Sequence, residues 1–366
     1  MRILHINCNY IGTTLHQLMV EHLDALGYSN SVFVPTYDRK IAVIKPNANV
    51  CISECFKRWN RLFFDYKQSK IQRSVQKVFD ISNFDCIHAY TLFTDGNCAM
   101  SLSKKYGKPF VVAVRNTDVN TFFKYMPHLR KRGIEIMKNA SRVFFLSETY
   151  RELVFGKYVP DKYRDILWKK TTVIPNGIDD FWFASEPKNL PILPKQIIKL
   201  IYAGRIDKNK NIHSIQIAIK MLEDIGYYSK LTVIGRVIDK HVFDAIRKDK
   251  RTVYISPEPK EKLIELYRQH NIFVMPSFTE SFGLVYAEAM SQGLPVIYTR
   301  GQGFDGNFND GYIGYPVNAK KPEEIAEAII RIIKDYERIS ANCLPASKKF
   351  MWETIVDEYD RVYRSL

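Results

Sequence analysis

PSFTESFGLVYAEAMSQGLPVI, residues 276–297, reads as the middle of a strand–loop–helix–strand unit. It follows a short apolar run, IFVM, too brief for a helix, so the strand ends at Pro276-Ser277. A polar loop holds Glu280-Ser281-Phe282-Gly283, a helix begins near Leu284, and Gly293-Leu294-Pro295 stops it and starts the next strand. The same alternation extends in both directions. RILHIN, SVFVP, CIHAY, FVVAV, VFFLS and TTVIP read as strands in the first half, and KLIYAG, LTVIG, TVYIS and PVIYT in the second. Helical patterns lie between them, at 14–27, 97–106, 213–226, 260–268 and 322–335. Such βαβ alternation implies an α/β fold with parallel sheets covered on both faces.

A chain of 366 residues accommodates two domains of roughly 150–200 residues. SEPKNLPILPKQ, residues 185–196, carries three prolines and no periodicity, so it reads as a linker. The expected organisation is therefore a first domain over 1–184, the linker 185–196, a second domain over 197–345, and a helix over 346–366. Phe350, Trp352, Ile355, Val356, Tyr359 and Val362 form an apolar stripe on that last helix, which is expected to pack back onto the first domain.

No stretch approaches the roughly 18–20 apolar residues of a membrane span, and MRILHINCNY reads as a buried strand rather than a secretion signal. Cys8, Cys51, Cys55, Cys86, Cys98 and Cys343 are scattered, the pattern of reduced thiols in the cytoplasm. The net charge of +15 is uneven: residues 1–190 carry 28 Lys+Arg against 17 Asp+Glu, residues 191–366 carry 26 against 22. A basic first half points to an anionic partner: nucleic acid, a membrane surface or a phosphorylated substrate.

Open α/β sheets bind ligands at the carboxyl ends of their strands. In IYAGRIDKNKNI, residues 201–212, a strand ends at Ala203-Gly204. Arg205 offers a planar fork for phosphate oxygens and Lys210 a point charge, both just ahead of a helix N-terminus. A solvated basic loop is the other reading. Glu280 and Glu288, eight residues apart, fall before the start and on the second turn of the next helix considered, where both can face one cleft. Gly283 lets backbone N–H groups approach a ligand closely. Two surface glutamates are the plainer alternative.

GR…K at 204–210, ESFG…EA at 280–289 followed by GLPV at 293–296, and IPNGID at 174–179 together resemble the retaining glycosyltransferases of family 4. The resemblance runs over nearly the whole chain, with the motifs in the family's order. It implies the GT-B architecture: two Rossmann-like domains with the donor in the cleft between them. It also implies roles. Arg205 and Lys210 hold the donor diphosphate, Glu280 lies near the donor sugar, and the backbone of Phe282, Gly283 and Leu284 contacts sugar and phosphate. Glu288 takes the ribose hydroxyls, Ser256-Pro257 meet the base, and Gly12 lets the first domain's loop approach the donor.

Two departures stand out. The family usually has a Gly-Gly pair where this chain has Gly12-Thr13-Thr14. In FVVAVRNTDVN, residues 110–120, Arg115 replaces the family's histidine near the reaction centre, while Asp118 is kept. Arginine cannot act as a base at neutral pH, so Arg115 is expected to bind an anionic group or to be structural. His88 resembles the first histidine of a family H-x-H segment, with Tyr90 in place of the second; a satisfied structural histidine is the expectation.

The implied activity is a metal-independent, retaining, hexosyltransferase-type reaction in polysaccharide or glycolipid assembly. The co-substrate is a UDP- or GDP-linked sugar, no other cofactor or metal is expected, and the acceptor is a saccharide or lipid-linked saccharide. No D-x-D motif is present, so fixed cations stand where a metal would. Residues 57–77, KRWNRLFFDYKQSKIQRSVQK, carry seven basic residues and one acid, with Trp59, Phe63, Phe64 and Tyr66 interleaved. They read either as a surface for an anionic membrane or as a helix with a buried apolar face. HLRKRGIEIMK at 128–138 adds charge to the same half. The expected location is cytoplasmic, peripheral on the inner membrane face. Competing classes are a nucleic-acid-binding protein, for which no recognition motif is found, another sugar-nucleotide enzyme of the same fold, and an inactive sugar-binding relative.

Overall fold

A computed structural model describes residues 1–39, 49–187, 189–194 and 196–366, with Arg61 described by its backbone alone. The chain forms two compact units: Met1–Gly177 together with Trp352–Leu366, and Ile178–Met351. Each is a parallel sheet with helices on both faces.

The first unit has strands β1 (Arg2–Ile6), β2 (Ser29–Thr36), β3 (Val50–Glu54), β4 (Cys86–Ala89), β5 (Phe110–Val114), β6 (Arg142–Phe145) and β7 (Thr171–Val173). They are ordered β3-β2-β1-β4-β5-β6-β7, all pairings parallel. Side chains alternate across the pleat, and the two faces fill separate cores. Leu4, Ile6, Ile87, Val112 and Val114 pack with α2 (Phe64–Val78), α3 (Thr94–Tyr106) and α4 (Arg130–Asn139). Ile3, Cys86, Val111 and Ala113 face the other way, onto α1 (Leu15–Ala25) and the last helix of the chain. Helices α5 (Glu148–Lys157) and α6 (Asp161–Trp168) connect β6 to β7.

The second unit opens with α7 (Phe181–Ala184) and has strands β8 (Ile198–Ala203), β9 (Ser229–Ile234), β10 (Thr252–Ile255), β11 (Ile272–Val274), β12 (Val296–Thr299) and β13 (Gly314–Val317). The order is β10-β9-β8-β11-β12-β13, the doubly wound arrangement in which strand order reverses between the first and fourth strands. Its helices are α8 (Ile212–Asp224), α9 (Lys240–Ile246), α10 (Lys260–Arg268), α11 (Leu284–Met290), α12 (Pro322–Lys334) and α13 (Tyr336–Ser347).

The units divide at Gly177/Ile178, inside the NGID segment, and not at residues 185–196. That proline-rich stretch lies along the second unit. Asn271 Nδ2 donates to the Ile192 carbonyl at 3.0 Å, and Leu190 and Pro191 cover Gly293. The helix expected over 346–366 is interrupted by a 3-10 turn at Lys348–Phe350 and extended backbone at Met351. Phe350 packs with Phe282, Phe304 and Phe308 of the second unit. The rest of the stripe, Trp352 to Val362, lies on α14 (Trp352–Tyr363), which completes the first unit's core.

Three histidines are buried under the carboxyl end of the first sheet. His5 bridges the Tyr90 hydroxyl (3.0 Å) and the Asn30 side-chain oxygen (2.8 Å). His88 Nδ1 meets the Tyr363 hydroxyl at 2.6 Å and its ring stacks on Tyr90, and His16 packs edge-on to Tyr90. Burial pushes His5 down to about 4 and His16 and His88 well below the usual imidazole range. A lowered imidazole pKa means that the unfolded chain binds more protons between the two pKa values, so these groups cost stability as pH falls from about 6.5 toward 4. His16 Nδ1 makes no hydrogen bond. His16→Leu is therefore expected to match wild type at pH 8 and to gain on it as pH falls below 6.5, read as the difference between the two unfolding midpoints. A gap that does not change with pH would mean that His16 titrates normally.

Candidate active site

Two loops leave the second sheet on either side of its reversal point, one after β8 and one after β11. Gly204 and Gly235, at the ends of β8 and β9, approach so closely that a Cβ on Gly235 would lie 1.8 Å from the Gly204 carbonyl oxygen. Tyr202 donates to the Arg205 carbonyl at 2.6 Å, and Asp207 accepts from the Lys210 N–H at 3.1 Å. Asn211, the non-glycine residue with positive φ among the described residues (55°), then opens α8. Its Nδ2 donates to the carbonyls of Pro276 (3.1 Å) and Ala319 (2.6 Å), tying this loop to the ends of two other strands. Asn209 does the same reciprocally: its Nδ2 donates to Thr279 O (2.8 Å) and its Oδ1 accepts from Thr279 N–H (3.0 Å).

Stitched this way, the loops bring Lys210 Nζ within 2.5 Å of Glu280 Oε2, with each side chain only 11% exposed. The remaining bonds fix the glutamate. Ser281 N–H donates to Oε1 at 3.1 Å, and the Glu280 N–H donates to Gln302 Oε1 at 2.9 Å. Arg205 stands further out, 65% exposed, with Asp207 3.7 Å from its Nε. The structure thus places three of the expected site residues on one edge of one sheet. Gln302, Asn209 and Asn211 were not among those expectations; of the three, only Asn211, an asparagine directly ahead of a helix, carries a local signal.

Gly283 has φ +80°, and a Cβ there would lie 2.3 Å from the Tyr286 ring. Tyr286 in turn donates to the Met275 carbonyl at 2.6 Å. Glycine is required for the turn that sets Phe282 into its aromatic cluster and starts α11 at Leu284. Glu288 is partly buried on that helix, and its carboxylate makes no hydrogen bond or ion pair among the described residues. Burial pushes it up to about 7, against the pull of Lys260, while Asp179 adds to the rise. Asp179, in the NGID segment, is paired with Lys260. Ser256 and Pro257 are exposed after β10, at the same edge of the sheet.

In the first unit Asp118 is buried, and its carboxylate accepts from the N–H groups of Leu92 (3.0 Å), Phe93 (3.1 Å) and Arg115 (2.8 Å). Burial outweighs these bonds and lifts it to about 6. Three backbone donors orient this carboxylate toward holding the loop ahead of α3. Arg115 is half-buried, donating from Nη1 to Asn176 Oδ1 at 2.6 Å and from Nε to the Tyr90 carbonyl at 3.3 Å. Gly12 is exposed, and a Cβ there would meet nothing within 4 Å, so the first unit's own packing does not require glycine at this position. A cavity of about 620 Å³ opens beside these residues, with Cys8, Thr36, Thr91 and Asp118 on its wall.

The family model "Glycosyltransferase Family 4" matches residues 12–180, and "Glycosyl transferases group 1" matches residues 186–349. An uncharacterized glycosyltransferase of Methanocaldococcus jannaschii is 23% identical over 301 residues, covering 80% of this chain and 78% of that one. A D-inositol 3-phosphate glycosyltransferase of Arthrobacter sp. is 27% identical over 69% of this chain and 63% of its own. The capsular polysaccharide biosynthesis glycosyltransferase CapM of Staphylococcus aureus is 30% identical over 45% of each. The last two matches thus span less than two thirds of those relatives. Among solved structures, sucrose-phosphate synthase from Thermosynechococcus elongatus superposes with a TM-score of 0.78 at 18% identity, covering 100% of this chain and 98% of that one. Anabaena HepE in complex with UDP gives 0.74 at 15% identity over all of both chains.

Breaking a buried ion pair by removing one partner typically costs about 3–5 kcal/mol, because the other charge stays buried and alone. Lys210→Met and Glu280→Gln are each expected to lower stability by about 3 kcal/mol in urea unfolding. The double variant should lose less than their sum by at least about 1 kcal/mol. Additive losses would show that the two side chains do not interact.

Proposed function

Because the chain belongs to the GT-B glycosyltransferases of the family 4 type, we propose that it moves a hexosyl group from a UDP- or GDP-linked sugar to a hydroxyl of a saccharide or lipid-linked saccharide. The reading includes retention of anomeric configuration, no metal, and a place in polysaccharide or glycolipid assembly. The observation that carries it is the set of Lys210, Arg205 and Glu280 on the loops flanking the reversal point of the second sheet, where doubly wound folds bind nucleotides. The UDP bound by Anabaena HepE and the polysaccharide role named for CapM support the donor and the setting.

On this reading Lys210 and Arg205 meet the diphosphate. Their task is to stabilise the negative charge that grows on it as the glycosidic bond breaks, a contribution worth about 10²–10³ in rate per contact. Glu280, already hydrogen-bonded and paired, is held rigidly beside the place of the sugar and keeps Lys210 neutralised until the diphosphate arrives. The carboxylate of Glu288 accepts hydrogen bonds from the ribose hydroxyls. The backbone at Phe282-Gly283-Leu284 contacts sugar and phosphate, and Ser256-Pro257 the base. Asp118 and Arg115 are committed to backbone and to Asn176, so neither is a free base. The leaving phosphate oxygen then takes the acceptor proton on the face it departs from, which retains configuration. No helix among the described residues is long and apolar enough to cross a membrane. Peripheral contact with an anionic membrane is proposed instead, through the segment 57–77.

Thermal-shift titration with UDP, GDP and ADP tests the donor site. One of them at 100 times its dissociation constant should stabilise by about 2.7 kcal/mol, and no shift with any of them would end the reading. Glu288→Gln should weaken that nucleotide. In wild type, affinity should fall as pH drops below about 7, by up to about tenfold per unit as the carboxylate is protonated, while the variant stays flat. For chemistry, turnover should survive EDTA, and an α-linked donor should give an α-linked product by NMR. A β-linked product, or loss with EDTA and rescue by Mn²⁺, would overturn the metal-free retaining mechanism.

A further inference from the structure

Glu280 is held from two strands at once. It lies in the loop after β11, and the loop after β12 runs against it. Thr299, the last residue of β12, donates from Oγ1 to the Ser277 carbonyl at 2.7 Å. Three residues on, Gln302 Oε1 accepts the Glu280 N–H at 2.9 Å. The Gly303 N–H reaches the Glu280 carbonyl at 3.4 Å. Both backbone groups of Glu280 are therefore engaged by residues 302 and 303. The second loop is itself fixed. The Gly301 N–H donates to the Asp305 carboxylate at 2.7 Å. A Cβ on Gly303 would lie 1.8 Å from the Ser281 carbonyl oxygen, so the two backbones touch there. Phe304 is buried, its ring 5.8 Å from that of Phe282 and 4.8 Å from that of Tyr286. Gln302 sits between these anchors.

The two ends of the Gln302 side chain have different fates. The Glu280 N–H can only donate, so the amide oxygen must face it and the NH2 group must face away. Asn209 and Asn211, the amide side chains of the neighbouring loop, spend their NH2 groups on the carbonyls of Thr279, Pro276 and Ala319. Gln302 Nε2 makes no hydrogen bond among the described residues, and the residue is only partly buried. It offers a donor beside Glu280 that the fold does not use. A glutamine free to rotate would lose rotamer freedom on meeting a ligand. This one has already lost it to Glu280, so donation from Nε2 costs little more.

We propose that Gln302 determines donor specificity: its Oε1 holds Glu280 in place while its Nε2 donates to one hydroxyl of the transferred sugar. The assignment rests on the donor reading above, in which Glu280 lies beside the sugar. The diphosphate already has its cations in Lys210 and Arg205. A neutral N–H at a fixed point suits a hydroxyl oxygen instead, and a site that hydrogen-bonds a substrate hydroxyl discriminates against the analogue without it.

Calorimetric titration of the full chain without acceptor tests it, using UDP, UDP-glucose and the four monodeoxy forms of UDP-glucose. GDP, GDP-mannose and its monodeoxy forms replace them if GDP is the nucleotide that binds. One neutral hydrogen bond is worth roughly twofold to tenfold in affinity. In wild type, one monodeoxy form should bind about fivefold weaker than its parent sugar nucleotide. In Gln302→Met that form and its parent should bind alike, while the other deoxy forms keep their wild-type ratios to the parent. Affinity for the bare nucleotide should stay within about twofold. Gln302→Ala leaves the Glu280 N–H to water and should give the same pattern, which keeps the test open if the Met variant does not fold. If no deoxy form is weaker in wild type, or if the same loss persists in both variants, the contact does not exist. If bare nucleotide and sugar nucleotide weaken by one common factor, Gln302 serves only to hold the loop, and the proposal is overturned. These outcomes leave the donor reading standing, whereas binding of neither UDP nor GDP ends that reading and this proposal together.

Discussion

The buried pair of Lys210 and Glu280 exists because the second sheet is parallel. In such a sheet every strand ends on the same edge, so residues seventy positions apart can converge. Reversal of strand order between β8 and β11 splits the two loops apart on that edge and leaves a crevice rather than a crowded corner. The pair would still be costly if either side chain could wander, because a desolvated charge is tolerable only while its partner is fixed. Hence the density of small polar contacts around it. Asn209 and Asn211 clamp the two loops, Gln302 holds the Glu280 backbone, and Asp207 holds that of Lys210. The glycines at 235 and 283 serve the same end by removing side chains where backbone or ring must pass.

This packing also separates two kinds of charge. Lys210 is buried and neutralised, whereas Arg205 is exposed and only loosely near Asp207. Under the proposed function the two cations then differ in what they lose on binding. Arg205 gives up water, while Lys210 shares an existing partner, so the ligand must offer enough negative charge to compete with a carboxylate at close range. A diphosphate does so. A neutral sugar does not, which makes the pair a filter for the nucleotide half of the donor.

Strand positions and the loops that follow them were readable from pattern because both depend on local composition. The short runs of Val, Ile and Phe that read as β5 and β11 are buried strands in the structure. Elements without such a signal were not readable. β3 (VCISE) is only partly buried along its length, and β13 (GYPV) contains a proline and begins at a glycine whose Cβ would collide with the Val296 carbonyl. The C-terminal stripe read as one helix because Trp352, Ile355, Val356, Tyr359 and Val362 share one helical face, although Phe350, two residues before Trp352, falls on the opposite side. The break at 348–351 comes from tertiary packing, which draws Phe350 into the aromatic cluster of the second unit. At the site, Lys210, Arg205 and Glu280 stood out by type and spacing. Gln302 did not, since a glutamine that accepts one backbone N–H from 22 residues away leaves no local trace. The cavity was equally invisible, because its walls come from four strand ends and two distant aromatic stretches.

Arg115 illustrates how one substitution redistributes work. It sits against a cluster of three buried histidines and lowers the pKa of His16 and His88 further than burial does alone. A histidine in its place would add a further imidazole beside groups whose protonation burial already disfavours. Arginine instead supplies a charge that does not titrate near neutrality, and it spends its donors on Asn176 and the Tyr90 carbonyl. The guanidinium thereby joins the end of β5 to the NGID segment, where the first unit ends. With Arg115 so engaged, Asp118 bound by three N–H groups and the histidines kept neutral beneath the surface, the first unit places no ready base at this position. Under the proposed function, proton removal from an acceptor then falls to the departing phosphate oxygen.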